Sequence, residues 1–180
     1  NLGRFNDVFR KSRLTTVIDD ADPAILSSDV TIQFESRFTP IVNTNTSQIV
    51  SADYEISYTN ELAEPNGTTA VITSDFFTFN GTLCNISNKL DSTKLRILTQ
   101  AGNIAQDNVG EYIPSTGKVN LVGFKPTSIA SGNVYLLLKA VPKNGSVVKP
   151  LRNNVVTIGA NLVTATADVN LANSVVGTTN

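Results

Sequence analysis

The chain has 180 residues but no histidine, no methionine and no tryptophan, and its single cysteine is Cys84. Without histidine it lacks the commonest general base and metal ligand of proteins. One cysteine cannot form an internal disulfide, so no disulfide framework supports the fold. No apolar run approaches the roughly 18 residues that a membrane span needs. We therefore expect no catalysis, no bound metal, no cofactor and no membrane partner.

The charges are balanced overall, with 14 basic and 15 acidic residues, but they are unevenly spread. Residues 1–14 carry four basic groups and one acidic group, residues 15–80 carry ten acidic groups and one basic, and residues 81–160 carry nine basic groups and three acidic. A near-neutral total argues against a nucleic-acid partner. Two interpretations of the asymmetry remain open. The two halves face each other within one fold, or they form a bipolar surface that docks head to tail on a neighbour.

The missing methionine also bears on the extent of the chain. A complete translated chain starts with methionine, and Asn1 is too bulky for routine removal of a preceding one. We expect Asn1 to lie inside a longer polypeptide, of which this sequence is a C-terminal portion.

The abundant residues favour β structure. Leucine, isoleucine, valine and phenylalanine number 55, enough for a buried core, and threonine, asparagine and serine number 21, 20 and 15. β-branched residues suit pleated, half-buried surfaces, whereas asparagine and serine suit turns. The composition predicts a mainly β (α+β) fold of antiparallel sheets or a sandwich.

A helix is predicted near the N-terminus, over residues 4–20. Phe5, Val8, Phe9 and Ile18 fall roughly on one stripe there. A short helical turn is expected over residues 23–28, because Asp22 can cap a turn that starts at proline.

Strand patterns begin at Asp29, where apolar and polar residues start to alternate through Phe38. The strongest turn signal is Asn80-Gly81, which predicts a type I′ hairpin between strands over 71–79 and 82–86. A second hairpin is expected around Pro114–Gly117. The remaining patterns predict strands over 53–59, 95–98, 118–124, 134–141, 147–148 and 154–158, with a turn at 143–145 and an Asn/Thr/Ser-rich linker over 43–52.

These elements predict three segments. Residues 1–28 form a helical segment that links to an upstream region, and residues 29–160 form an antiparallel β domain. Residues 161–180 form a C-terminal arm or strand, because alternate positions from Val163 to Leu171 are apolar.

The candidate chemical motifs all fail. Asp20-Ala-Asp22 is followed by proline, which breaks a calcium loop, and the spacing from Gly110 to Gly117-Lys118 does not fit a phosphate loop. Cys84 is expected to be a small buried hydrophobe. We predict no catalytic, cofactor-binding or metal-binding residue.

One stretch resembles a known family. It reads Phe9-Arg10-Lys11-Ser12-Arg13-Leu14, then Ile18-Asp19, then Asp22-Pro23-Ala24-Ile25-Leu26-Ser27-Ser28. This pattern resembles the C-terminal portion of the baseplate wedge protein of T-even-type contractile-tailed bacteriophages. The resemblance implies a non-enzymatic virion protein that assembles in the host cytoplasm and pairs with a second copy. It also implies contacts with other wedge and hub-proximal proteins, an inner baseplate ring, and a part in the rearrangement that triggers sheath contraction.

The N-terminal segment is the predicted protein interface. Its members are Phe5, Val8, Phe9, Arg10, Lys11, Arg13 and Ile18. The apolar members would supply the buried area, and the basic members would set register and partner choice. In the alternative, the apolar stripe packs on this chain's own sheet.

Two other functions remain open at this point. One is a receptor-binding or adhesin-like β domain of a tail fibre or spike. The other is a β-fold glycan hydrolase, whose site usually offers exposed aromatic rings beside carboxylates, a pattern that the sequence does not clearly show.

Overall fold

A computed structural model describes residues 8–23, 28, 30, 32–51, 55–56, 63–64, 67–68, 70–129 and 133–148. Phe5, the strand predicted over 154–158, the arm 161–180 and most of the turn predicted over 23–28 lie outside these residues. The described part contains one helix, α1 (Lys11–Asp19), and fourteen strands. The strands are β1 (Phe9–Arg10), β2 (Phe34–Phe38), β3 (Thr46–Ser51), β4 (Ala63–Glu64), β5 (Gly67–Thr68), β6 (Ile72–Ser74), β7 (Phe77–Phe79), β8 (Thr82–Asn88), β9 (Lys94–Thr99), β10 (Ile104–Ile113), β11 (Lys118–Phe124), β12 (Ser128–Ile129), β13 (Leu136–Ala140) and β14 (Val147–Val148). The predicted fold class is confirmed: the protein is mainly β, with a helix near the N-terminus.

Ten of these strands form one antiparallel sheet. Its main path runs β2-β13-β6-β8-β9-β10-β11-β3, and β7 and β12 branch from it. The sheet curls, so that the edge strands β2 and β3 approach each other and leave a nearly closed barrel. The side-chain amide of Gln48 in β3 donates a hydrogen bond to the Thr39 carbonyl oxygen at 3.0 Å, close to the end of β2.

The sheet branches at Asp75–Phe76, between β6 and β7. Both strands pair with β8, in the registers Thr73↔Ser87 and Phe77↔Cys84. Their outer neighbours differ, because β6 pairs with β13 and β7 pairs with β12. The sheet therefore divides here into two branches, one of which carries β12 and the other β13.

The apolar core fills the inside of the curled sheet. Phe77 and Phe124 pack edge to face there, with ring centroids 5.1 Å apart. The largest fully buried side chains are Tyr112, Phe77, Phe124, Ile56, Ile72, Ile86, Leu95, Ile97, Leu121, Leu136, Val71 and Val109. Cys84 belongs to this core, as predicted, and its burial raises the pKa of the thiol.

The two predicted hairpins are confirmed. Asn80 and Gly81 have φ of 49° and 80°, the positive values that a type I′ turn requires, and they connect β7 to β8. Residues 114–117 form the turn between β10 and β11, with Ile113 paired to Lys118.

The start of the helix predicted over residues 4–20 is wrong, because two residues within that range form a strand before the helix begins. Phe9 and Arg10 form strand β1, which pairs with β14 in the register Phe9↔Val148 and Arg10↔Val147. The backbone at these positions therefore bonds across to another strand instead of along a helix, and α1 starts at Lys11. Strand β14 lies where the sequence predicts a strand, but it pairs with β1 and not with β13.

Three other boundaries differ from the predicted ones. The linker predicted over 43–52 contains β3, because Val50 is buried and the backbone of this segment pairs with β11. The strand predicted from Asp29 begins at Phe34. The single strand predicted over 71–79 is divided into β6 and β7, because β6 pairs with β13 whereas β7 pairs with β12. Of the strand predicted over 53–59, the described residues include 55–56, and Ile56 forms an isolated bridge with Pro142.

Candidate docking surface

The N-terminal segment attaches to the rest of the protein through strand β1. Beyond the two paired residues, the backbone N–H of Lys11 donates a hydrogen bond to the Ser146 carbonyl oxygen at 2.8 Å. Helix α1 follows at once. No residue of α1 is buried, and none belongs to the described apolar core. The helix is thus held at its start to strand β14 and the residue before it, and its side chains remain partly or fully accessible.

Helix α1 has little intrinsic stability. It is nine residues long, and the side chain of its N-cap residue, Arg10, makes no capping hydrogen bond. Its first turn has no acidic residue and its last turn no basic one, whereas Lys11 stands at its start and Asp19 at its end. This arrangement opposes the helix dipole, which favours negative charge at the N-terminus and positive charge at the C-terminus. An isolated helix of this length is also unfavourable in water. Tertiary or quaternary packing must therefore supply much of its stability.

The side chains of α1 divide into two faces. Leu14 and Ile18, four residues apart on one face, are half-buried, whereas Arg13 and Val17 are exposed. Val17 is 67% exposed, one of the most exposed large apolar residues in the described chain. Each face thus carries apolar surface that a further protein could cover.

The members of the predicted interface that the structure describes, from Val8 to Ile18, lie along one short stretch. Val8 and Phe9 are half-buried, Arg10 and Arg13 are exposed, and Ile18 lies in the last turn of α1. Lys11, at the first helical position, is half-buried. Leu14 and Val17, which are not part of the predicted stripe, also present accessible apolar surface on α1.

The ion pairs bear on the charge asymmetry. Lys139 Nζ lies 3.4 Å from Asp75 Oδ1 and 4.0 Å from Glu35 Oε1, and Lys143 Nζ lies 3.6 Å from Glu55 Oε2. These pairs connect the basic part of the sequence to the acidic part. They support the interpretation that the two halves face each other within one fold.

The described residues contain no group of three or more histidine, cysteine, aspartate or glutamate side chains that could hold a metal ion. The one helix in the described part of the chain is too short to span a membrane.

The family model of baseplate structural protein gp6, C-terminal domain III, matches residues 1–37. The matched segment contains β1, α1 and most of β2, and it ends before the greater part of the barrel begins. No curated protein and no solved structure matches the chain. The family match supports a structural protein of a phage baseplate.

Proposed function

We propose that this chain is a non-enzymatic structural part of the wedge protein of a contractile phage tail baseplate. In this proposal it pairs with a second copy, contacts other wedge and hub-proximal proteins, and helps to form the inner baseplate ring. The ring rearranges to trigger sheath contraction. One observation carries the proposal: the residues similar to the baseplate family include the weakly supported helix, which lies outside the barrel core.

Apolar burial supplies most of the binding free energy in this proposal. Full burial of a side chain such as Leu14, Val17 or Ile18 is worth about 1.5–3 kcal/mol relative to full exposure, and less where it is already half-buried. An exposed ion pair from Arg10 or Arg13 contributes about 0–1 kcal/mol. The apolar residues therefore provide affinity, and the basic residues provide register and choice of partner.

The proposal divides the chain by role. Residues 1–28 join the upstream region and dock on a neighbour, residues 29–160 form the β domain, and residues 161–180 form an arm. The location follows from the same role: the protein assembles in the host cytoplasm and resides in the tail baseplate of the virion.

A double charge reversal tests the docking role. Arg10→Glu with Arg13→Glu, in the full chain, should weaken assembly and leave the melting temperature of the β domain nearly unchanged. Sedimentation velocity measures the self-association, and electron microscopy of phage that carry the variant counts complete baseplates. The matched control is Lys118→Glu with Lys125→Glu, the same change in charge on the barrel.

The two outcomes are distinct. If the Arg10/Arg13 variant assembles as well as the parent protein, the docking role of this segment is wrong. If the Lys118/Lys125 control weakens assembly equally, net charge and not the N-terminal segment controls association, and the assignment of the surface fails.

A further inference from the structure

A cleft of about 420 Å³ opens on the barrel where the sheet branches. It lies between the branch of the sheet that carries β12 and the branch that carries β13. Its lining comes from residues 73–76 at the branch, Asn85 in β8, Ile129 at the end of β12, and residues 133–139 around β13. The volume falls within the range of small-molecule sites, roughly 300–1,000 Å³.

The polar groups of the cleft can both donate and accept hydrogen bonds. Asn85 Nδ2 already donates to Thr73 Oγ1 at 3.1 Å, which fixes the orientation of both side chains. The Asp75 side chain is 38% exposed, and Asn133 is exposed. Amide, carboxylate and hydroxyl groups at separate points match a ligand with several hydroxyls, because each hydroxyl donates once and accepts twice.

Aromatic rings accompany these polar groups. Phe76 is 42% exposed and directly follows Asp75 in the chain. Tyr135 is half-buried, and the guanidinium of Arg37 lies 4.9 Å from its ring centroid, which restrains the ring. An exposed ring beside a carboxylate offers apolar contact for the C–H face of a sugar and a polar anchor for its hydroxyls.

The charge of the cleft disfavours an anionic ligand. Its cation, Lys139, lies between Asp75 and Glu35, at 3.4 Å and 4.0 Å. These two carboxylates offset its charge, so the cleft does not present a free cation to a phosphate or a carboxylate.

We infer that this cleft binds a neutral sugar unit of a glycan. The inference goes beyond the assembly role. It also stands independently of it, because every lining residue lies after residue 37, where the family match ends.

Nuclear magnetic resonance titration of the full chain tests the inference. The probes are glucose, galactose, mannose, N-acetylglucosamine, N-acetylgalactosamine and lactose, with inorganic phosphate as the charged comparison. At least one sugar should give saturable amide shifts confined to the cleft. Phosphate should give none there.

Three variants locate the binding. Phe76→Ala should weaken sugar binding by about fivefold to tenfold, the loss expected for one ring contact. Asn133→Ala, at an exposed position, should weaken it without disturbing the fold. The matched control is Leu83→Ala on β8, which is exposed to the same 42% as Phe76 and lies outside the cleft. It should bind as the parent does.

The inference is overturned if none of the sugars gives a saturable shift, or if phosphate competes for the cleft. It is also overturned if Leu83→Ala weakens binding as much as the two cleft variants do. If the amide spectrum of Phe76→Ala loses its dispersion, that variant is unfolded, and Asn133→Ala alone tests the site. Unchanged sugar binding by Asn133→Ala then rules out the cleft.

Discussion

The side-chain oxygen of Asn88 accepts a hydrogen bond from the backbone N–H of Val71 at 2.7 Å. The same oxygen accepts a second bond from Ile72 at 3.0 Å. Asn88 is 4% exposed, and both donors belong to fully buried residues at the start of β6. One side chain at the end of β8 thus satisfies two buried donors on a neighbouring strand.

Asn88→Ala should destabilise the protein by about 2–4 kcal/mol, because each buried N–H left without a partner costs about 1–3 kcal/mol. Urea denaturation followed by circular dichroism measures the loss. Asn103→Ala, at an exposed asparagine, is the control and should change the unfolding free energy little. Equal effects of the two substitutions would contradict this role of Asn88.

Gly110 should not tolerate a side chain. Its φ is +136°, and an added Cβ would lie 2.0 Å from the carbonyl oxygen of Asn120 on the paired strand β11. Gly110→Ala should therefore cost about 2–4 kcal/mol from backbone strain and overpacking. Gly145→Ala, where an added Cβ meets nothing within 4 Å, should be nearly neutral. A Gly110→Ala variant with the parent's denaturation midpoint would refute the expected clash.

The thiol of Cys84 should make the protein less stable at alkaline pH. Burial raises its pKa in the folded state, so the folded protein retains this proton at a pH where the unfolded chain loses it. The stabilisation is complete below the unfolded pKa of about 8.5 and is lost as the pH rises through the folded pKa. Denaturation curves from neutral to alkaline pH should show a smaller decline for Cys84→Ala than for the parent. Equal declines would assign the effect to other groups.

A peptide of residues 8–23 should show little helix by circular dichroism. The N-cap residue of the helix makes no side-chain capping bond, and the terminal charges oppose the helix dipole. The matched control has the same composition: exchanging the two residues, with Lys11→Asp and Asp19→Lys, should raise the helix content. Each charge should contribute about 0.3–1 kcal/mol. Equal helix contents in the two peptides would contradict the expected effect of the terminal charges.

Local signals in the sequence predicted the hairpins well. The turn at Asn80-Gly81 depends on local sequence, because both residues accept positive φ whatever the strands pair with. Strand β3 was missed because its serines and threonines look like a linker, whereas its pairing with distant β11 decides its structure. Strand β14 was predicted, but its pairing with β1 was not, because the two strands lie far apart in the sequence.

The cleft could not be predicted from the sequence for the same physical reason. Asp75-Phe76 is visible as a pair, but nothing local indicates that the sheet branches there. Asn85 and residues 133–139 reach the same place only through the pairing of β6 and β7 with different strands. The resemblance of the N-terminal segment to the baseplate family was visible in the sequence because the residues that carry it are close together in the chain.

The short pairing of β1 with β14 should open at a much lower free energy than the pairing of the barrel strands. In the described chain the contact comprises two residues on each strand, whereas the barrel strands share a common core. Local openings have free energies that range from almost zero up to that of global unfolding. We therefore expect helix α1 to detach and reattach while the barrel stays folded. The amide hydrogen of Lys11 should exchange with solvent far sooner than those of β9, so a neighbour could capture the helix without unfolding the domain that carries it.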